Sequence, residues 1–330
     1  MHPCRRSLLS VGLAVMSIMP ATAHAQQPFE SVGTRALGMG GAFVAVADDA
    51  TAVYWNPAGL ATARPVGVTI EWTRLRSGNP DTVPTPGDAG QSASFASLGT
   101  WPIGLFYGKI RSTELHPVAP GVTALETFET RQFGVTILQT LTQGVVLGSS
   151  LKYVRGGVST GASAAITTQD ALEEGLKLSG ETNGAFDFDV GLMVDLERVR
   201  LGLTARNLRQ PSFTDGAGNT RVLQRQSRAG IAILASDGLT LAMDVDLDTV
   251  DLRGGLRRMI ALGGEYRLNK HVAVRSGVRW NLRDVEWVRR PIVAAGGSVA
   301  VRKGLWLDGF YTQGRFDGDR GFGFGLRAGS

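Results

Sequence analysis

From Val66 onward the chain divides into fourteen segments in which apolar and polar side chains alternate with a period of two. That period is the mark of a strand with one apolar face. The expected strands are 66–74, 92–100, 102–112, 126–141, 145–156, 184–195, 199–209, 224–235, 239–251, 256–268, 271–282, 291–302, 305–313 and 320–328. Over 186–196, Phe186, Phe188, Val190, Leu192, Val194 and Leu196 oppose Asp187, Asp189, Gly191, Met193 and Asp195. Over 239–248, Leu239, Leu241, Met243, Val245 and Leu247 oppose Asp244, Asp246 and Asp248. A pattern repeated this often commits the chain to an all-β fold. It leaves the sense of the wall open, because a soluble sandwich turns its apolar face inward and a barrel in lipid turns it outward.

The connectors choose between these. Trp101 with Pro102, Thr142–Gly144, Glu197, Asp237 with Gly238, Asn269 with Lys270, and Lys303 with Gly304 are tight. Those between them, 75–91, 113–125, 157–183, 210–223, 252–255, 283–290 and 314–319, are mostly longer. Short periplasmic turns and longer external loops are the arrangement of an outer-membrane barrel. No run reaches the ~18 apolar residues of a spanning helix, although 43% of the residues are hydrophobic and 44 are glycine. The expectation over 66–330 is a transmembrane antiparallel β-barrel of about 14 strands. A soluble periplasmic β-protein is the alternative.

Residues 1–25 read as a cleaved signal segment, and export together with the expected barrel points to the bacterial outer membrane. Arg5 and Arg6 form its positive start, Leu8–Met19 its apolar stretch, and Ala23-His24-Ala25 its cleavage site. Cys4, the one cysteine, leaves with it, so no disulfide or thiol chemistry is expected beyond it. Trp72, Tyr153, Trp280 and Tyr311 fall near the loop ends of the expected strands. Trp101, Tyr266 and Trp306 fall near the turn ends, which completes two interfacial girdles. In the last strand Asp319, Gly321, Phe324 and Leu326 resemble an outer-membrane assembly signal, which implies the barrel assembly machinery as a partner. Arg327–Ser330 extend past the usual terminal aromatic residue.

Ahead of the strands, 33–60 is too short and too rich in glycine for a strand pair or an ordinary helix. Gly38, Gly40 and Gly41 permit positive φ and close backbone approach. Asp48 and Asp49 suit a helix start, with Ala50–Tyr54 behind them. Asn56 and Pro57 suit a second start, as cap and first helical residue. Such a knot cannot bury Phe43, Val44, Val46, Val53 and Trp55 by itself. Residues 26–65 are therefore read as a plug, or hatch, inside the barrel lumen.

This stretch resembles the N-terminal segment of the FadL-type outer-membrane transporters and their shorter PorV/PorQ-like relatives. The match is carried by Gly33, Arg35, Ala36, Gly38–Phe43, Ala45, Ala47–Asp49, Ala52 and Asn56–Leu60. The FadL-type resemblance implies a hatch in the barrel and small hydrophobic ligands, such as long-chain fatty acids, bound above it. It also implies a sideways exit through the wall into the membrane. On that reading Phe43, Val44, Trp55, Asn56, Pro57 and Leu60 are the hatch and ligand-binding candidates, with plain plugging as the alternative for each. Pro102, Gly104 and Gly108 are candidates for the break in the wall, since proline removes a donor and glycine permits a kink; Pro102 equally suits a turn. The PorV-like resemblance implies a different role, as the outer-membrane partner of a secretion or surface-assembly system. A general porin is the third reading.

Loop 157–183 holds a helical stretch, Thr167–Leu178, that reads either as a lid over the outer mouth or as a surface turn. The net charge is +5, but the basic residues lie among carboxylates along strands rather than clustered with aromatic residues. That argues against nucleic acid and for a charged lumen with loops facing outer-membrane lipid and lipopolysaccharide. Past the signal segment only His116 and His271 remain of the histidines, with no G-x-S-x-G elbow and no H-E-x-x-H. No enzyme, metal centre or cofactor is therefore expected. Asp244, Asp246 and Asp248 share one strand face, which suits either calcium or arginines across a lumen.

Overall fold

The computed structural model describes residues 27–216, 218, 220–252, 255–283, 291–314 and 320–329. The expected signal segment, most of loops 283–290 and 314–319, and Asp319 lie outside them. Fourteen antiparallel strands close into one barrel. They are β1 (Val66–Ser77), β2 (Ala89–Thr100), β3 (Ile103–Ala119), β4 (Val122–Thr142), β5 (Val145–Ser163), β6 (Asn183–Leu196) and β7 (Val199–Arg206). The remainder are β8 (Gln226–Ser236), β9 (Leu239–Asp246), β10 (Met259–Arg267), β11 (Val272–Asn281), β12 (Ile292–Arg302), β13 (Leu305–Gln313) and β14 (Arg320–Gly329). Each pairs with its chain neighbours, and β1 closes on β14 from Gly67↔Gly329 to Arg76↔Arg320.

The wall is inside out relative to a soluble protein. Phe186, Phe188, Leu241, Met243, Phe322 and Phe324 are exposed on the outer face. Asp187, Asp189, Asp244, Glu265, Arg275 and Asp308, on the alternate positions, are buried inside. Only a hydrocarbon solvent rewards that arrangement, so the barrel spans a membrane with its strands. Trp72 packs outward between Phe322 and Phe324. Trp306 departs from the expected girdle. Its neighbour Leu307 faces out, and Trp306 turns inward beneath the Arg327 guanidinium, 5.7 Å from its ring centre.

The strands differ most from expectation on one side. β3 and β4 run on together to Ala119 and Val122, so 113–125 is a hairpin tip rather than a loop. Their extension is held by a Thr113–Thr127 hydroxyl hydrogen bond of 2.8 Å and by the Leu115/Leu125 pair. β7 stops early, at Arg206, because Asn207 takes a left-handed φ of 58°. The carboxylate of Asp189 accepts the Asn207 N–H at 2.8 Å in place of a ladder partner.

Residues 27–62 lie inside the barrel toward the turn end, almost wholly buried. They form α1 (Thr34–Gly38), α2 (Ala52–Trp55) and a 3₁₀ turn, Pro57–Thr62. α1 occupies part of what the glycine spacing marks as a tight turn. Above the plug, the hairpin of Ser212–Thr214 with Thr220–Val222 folds inward. Its Phe213 packs with Phe128, Val154 and Val158 on the inner faces of β4 and β5.

The helix of the 157–183 connector, α3 (Thr168–Gly175), begins on a Thr167 cap that accepts the Asp170 N–H at 3.2 Å. It is not a lid. Leu172 and Ala171 pack against Leu115 and Leu125, and Glu173 reaches Arg74 at 3.5 Å. Arg74 alternates with the inward Glu71 and Thr73, and β3 and β4 offer α3 the face that carries Tyr107 and Phe133 lower down. Helix α3 therefore lies on the outside of the wall at the loop end.

Candidate functional site

The plug is a small aromatic core of its own. Trp55 meets Phe29 at 5.1 Å, Phe43 at 5.8 Å and Tyr54 at 6.3 Å between ring centres. The Trp55 indole donates to the Val32 carbonyl at 3.1 Å, and the Tyr54 hydroxyl to the Phe29 carbonyl at 3.1 Å. Each aromatic polar tip thus finds a backbone partner within the plug, as a buried donor requires.

The wall meets this core with charge and, on the β2 side, with an aromatic contact between Tyr54 and Phe95 at 5.7 Å. Glu71 of β1 accepts the Thr34 N–H at 2.8 Å and the Gly33 N–H, closing the start of α1. Asp244 of β9 accepts the N–H groups of Phe43 and Val44, both at 2.8 Å. Arg35 of α1 makes a two-pronged pair with Glu265 of β10, 2.7 Å on each arm, and also bonds Asp48 and Asp49. From Glu265 the network runs through Arg275 and Ser298 to Asp308 and Arg327, crossing β10 to β14. Burial works against the Arg35 cation, but Asp48, Glu265 and Asp49 outweigh it and hold it charged.

On the other side Arg228 of β8 bonds Glu30 at 2.5 Å and Asp246 at 2.7 Å, and lies 4.3 Å from the Phe29 ring centre. Burial pushes the Glu30 carboxyl up. The guanidiniums of Arg228, Arg257 and Arg279 outweigh that and hold it well below the usual carboxylate range. Asp244 and Asp246 therefore serve the plug backbone and an arginine, and Asp248 lies 3.6 Å from Arg225. Among the described residues no cluster of metal-ligating side chains is present. Higher up, Lys152 is wholly buried between Asp189 at 2.7 Å, Asp187 at 3.2 Å and the Asn207 amide oxygen at 2.6 Å.

The sequence-expected residues fall as follows. Phe43, Val44 and Trp55 are completely enclosed and face plug neighbours. Asn56 spans the plug and wall: its amide donates to the carbonyls of Val44 at 2.9 Å and Leu192 of β6 at 3.1 Å, while its oxygen accepts the Ala58 N–H. Pro57 presses on Gly148 and Gly191, and Leu60 on Gly99 and Gly104. Pro102, Gly104 and Gly108 do not open the wall. β3 pairs without interruption to both β2 and β4 through Gly104 and Gly108. A Cβ on Gly104 would stand 2.6 Å from Leu60 and 2.7 Å from Val53, so this glycine makes room for the plug. One on Gly108 would meet the Phe95 ring at 3.0 Å, and Pro102 sits in the turn before β3.

Sequence reasoning missed Glu30, Arg35, Glu71, Arg228 and Glu265 as site residues. The available signal was parity: Glu71, Arg228 and Glu265 stand on the charged faces of their strands. Among the described residues, small cavities border the plug. One of about 20 Å³ touches Phe29, Glu30, Asp246 and Arg257; another, about 30 Å³, touches Asp48, Ala50, Trp306 and Arg327. Each is large enough for about one water.

The family model that matches the chain is described as "F plasmid transfer operon, TraF, protein" and spans residues 124–246. Sequence comparison with curated proteins finds no match. Among solved structures the chain is similar to the CymD monoaromatic hydrocarbon channel, at 15% identity and TM-score 0.64, over 91% of this chain and 98% of that one. It is also similar to a Pseudomonas aeruginosa FadL homologue, at 12% identity and TM-score 0.59, over 93% and 99%. A third likeness is to the Pseudomonas putida toluene transporter TodX, at 14% identity and TM-score 0.57, over 93% and 97%. At these identities the likeness is one of fold.

Proposed function

We propose that this chain is an outer-membrane channel for small hydrophobic molecules, with residues 26–65 as a hatch that must shift for passage. The observation that carries it is a membrane barrel closed by a plug whose own core is aromatic and whose attachment to the wall combines ion pairs with an apolar contact on Phe95. Such a plug moves as a unit more readily than it unravels. The full-length likeness in fold to a monoaromatic hydrocarbon channel and a toluene transporter supports small apolar cargo. The filled lumen argues against a general porin. The signal segment and the barrel assembly machinery belong to the same proposal. We place the sideways exit at the upper β6–β7 seam, where the ladder ends and Asp187 and Asp189 carboxylates stand in for main-chain partners of Arg209 and Asn207.

A lock tests the hatch. A Cβ on Gly67 of β1 would lie 3.8 Å from the Ala50 Cβ, close to the ideal of about 3.8 Å for a disulfide. No cysteine occurs after Cys4 to compete. Ala50→Cys with Gly67→Cys, in cells lacking other hydrocarbon channels, is expected to take up toluene when reduced and to lose at least about tenfold of that rate when oxidised. Uptake that ignores oxidation removes the moving hatch. A folded wild-type barrel that passes neither toluene nor a long-chain fatty acid removes the channel.

The second reading, a partner protein of a secretion or surface-assembly system, is favoured by the family model over 124–246, whose description names a plasmid transfer operon. A protein that co-purifies in fixed ratio with the intact barrel, with no apolar ligand, is its expected signature.

A further inference from the structure

On the outer face of β1–β6 the rows of paired residues change character in one step. One row runs Ile70, Ala96, Tyr107, Phe133, Tyr153 and Phe186, all apolar or aromatic. The next row toward the loop end runs Trp72, Ser94, Lys109, Arg131 and Arg155. Lys109 is directly opposite Arg131, and Arg131 directly opposite Arg155. Like charges in direct cross-strand register destabilise a sheet. One carboxylate on the same outer face answers them. Glu129 bonds Arg131 at 2.6 Å, stands 3.8 Å from Lys109, and is shared with Arg111. Arg155 bonds only the Thr182 hydroxyl, at 3.0 Å, among the described residues, and has no carboxylate partner there. The side chains are open to the outside: Arg131 is 46% exposed and Lys109 34%.

The neighbouring stretch of the same face is treated differently. Over β1–β3, α3 supplies the missing partners: Glu173 to Arg74, the Gln169 amide oxygen to Arg76 at 3.2 Å, and the Leu176 carbonyl to Arg111 at 2.6 Å. Helix α3 ends before the Lys109–Arg131–Arg155 row. These three cations remain at the upper edge of the apolar band, where lipid acyl chains give way to headgroups.

Resting on the membrane-spanning reading above, we propose that Lys109, Arg131 and Arg155 bind the phosphorylated headgroup of an outer-leaflet glycolipid. Its acyl chains lie along Tyr107, Phe133 and Tyr153. The phosphates supply the counter-charge that the protein lacks at this row. Cations on three adjacent strands span about 10 Å, which suits a headgroup bearing more than one phosphate.

Native mass spectrometry of the detergent-purified full chain tests it, with diphosphoryl lipid A, monophosphoryl lipid A and phosphatidylcholine added in turn. Wild type is expected to retain diphosphoryl lipid A at least about tenfold better than phosphatidylcholine, with the monophosphoryl form between. Lys109→Gln/Arg131→Gln/Arg155→Gln is expected to lose that preference. A control with the same charge change at the turn end, Arg198→Gln/Lys270→Gln/Lys303→Gln, is expected to keep it. Equal retention by the triple variant, or equal loss in the control, overturns the proposal. So does complete displacement by inorganic phosphate at the same molar excess, which marks a free-anion site. Should the triple variant not fold, wild type alone decides: retention must fall with salt and rise with phosphate number. Quenching of the outward Trp72 by brominated phosphatidylcholine checks membrane insertion independently of headgroup.

Discussion

The inside of the plug and its seat against the wall differ in chemistry: the first is aromatic, and the second adds ion pairs to an apolar side at Phe95. Inside, Phe29, Phe43, Tyr54 and Trp55 share ring contacts, and the indole and phenol close on plug carbonyls. At the seat, carboxylates of Glu71, Asp244 and Glu265 hold plug backbone and Arg35, and Arg228 holds Glu30. Dry packing is lost whenever its parts separate. Ionic contacts at a lumen wall are lost only in part, because water and ions can take the place of either partner. If the plug moves as proposed, it should yield at the seat before the core.

The largest effect should therefore come from breaking the core. Trp55→Ala removes a wholly buried ring and is expected to cost about 3–5 kcal/mol. Limited proteolysis and single-channel recording check it: cleavage within 27–62 and persistent conductance should appear together, with the barrel intact. Glu265→Gln should come next. It leaves Arg35 and Arg275 facing a neutral amide in a site where Glu265 is 8% exposed, at about 3 kcal/mol for an unpaired buried charge. The expected result is brief openings that lengthen with salt, while plug proteolysis and Trp55 emission stay as in wild type. A Glu265→Gln barrel that is cleaved as readily as Trp55→Ala would erase the distinction between core and seat.

The wall was legible in the sequence because its two faces meet two solvents, and an alternation of Phe186, Asp187, Phe188 and Asp189 records that directly. Which solvent lay outside was not in the alternation, since a reversed wall gives the same string; the short and long connectors pointed to lipid. Buried partners decide it: Asp187 and Asp189 share Lys152, 35 or more positions away in the chain. The plug's helix starts were legible at Asn56 and Pro57, where local chemistry sets the structure. Its attachments were not, because Arg35 meets Glu265 across 230 residues. Gly104 shows the same limit. A strand glycine permits a kink or admits a neighbour, and the neighbour, Leu60, is visible only once the chain has closed around it. Helix α3 was readable as a helix from Thr167 and the Leu172 spacing, but not its side of the wall, which Arg74 and Leu115 decide.

That outer helix supplies the smallest expected effect and the control for the rest. Arg74 and Glu173 form a pair too, but at 35% and 41% exposure. Water screens them, and an exposed pair contributes about 0.2–1 kcal/mol. Glu173→Gln is expected to shift thermal unfolding by no more than a degree or two and to leave conductance unchanged, since α3 touches the outside of the wall and not the plug. A change in conductance comparable to that of Glu265→Gln would place α3 in the gating path after all, and would mean that the seat is felt through the wall. Silence in the same recording would confine gating to contacts on the inner face, where every ionic partner of the plug resides.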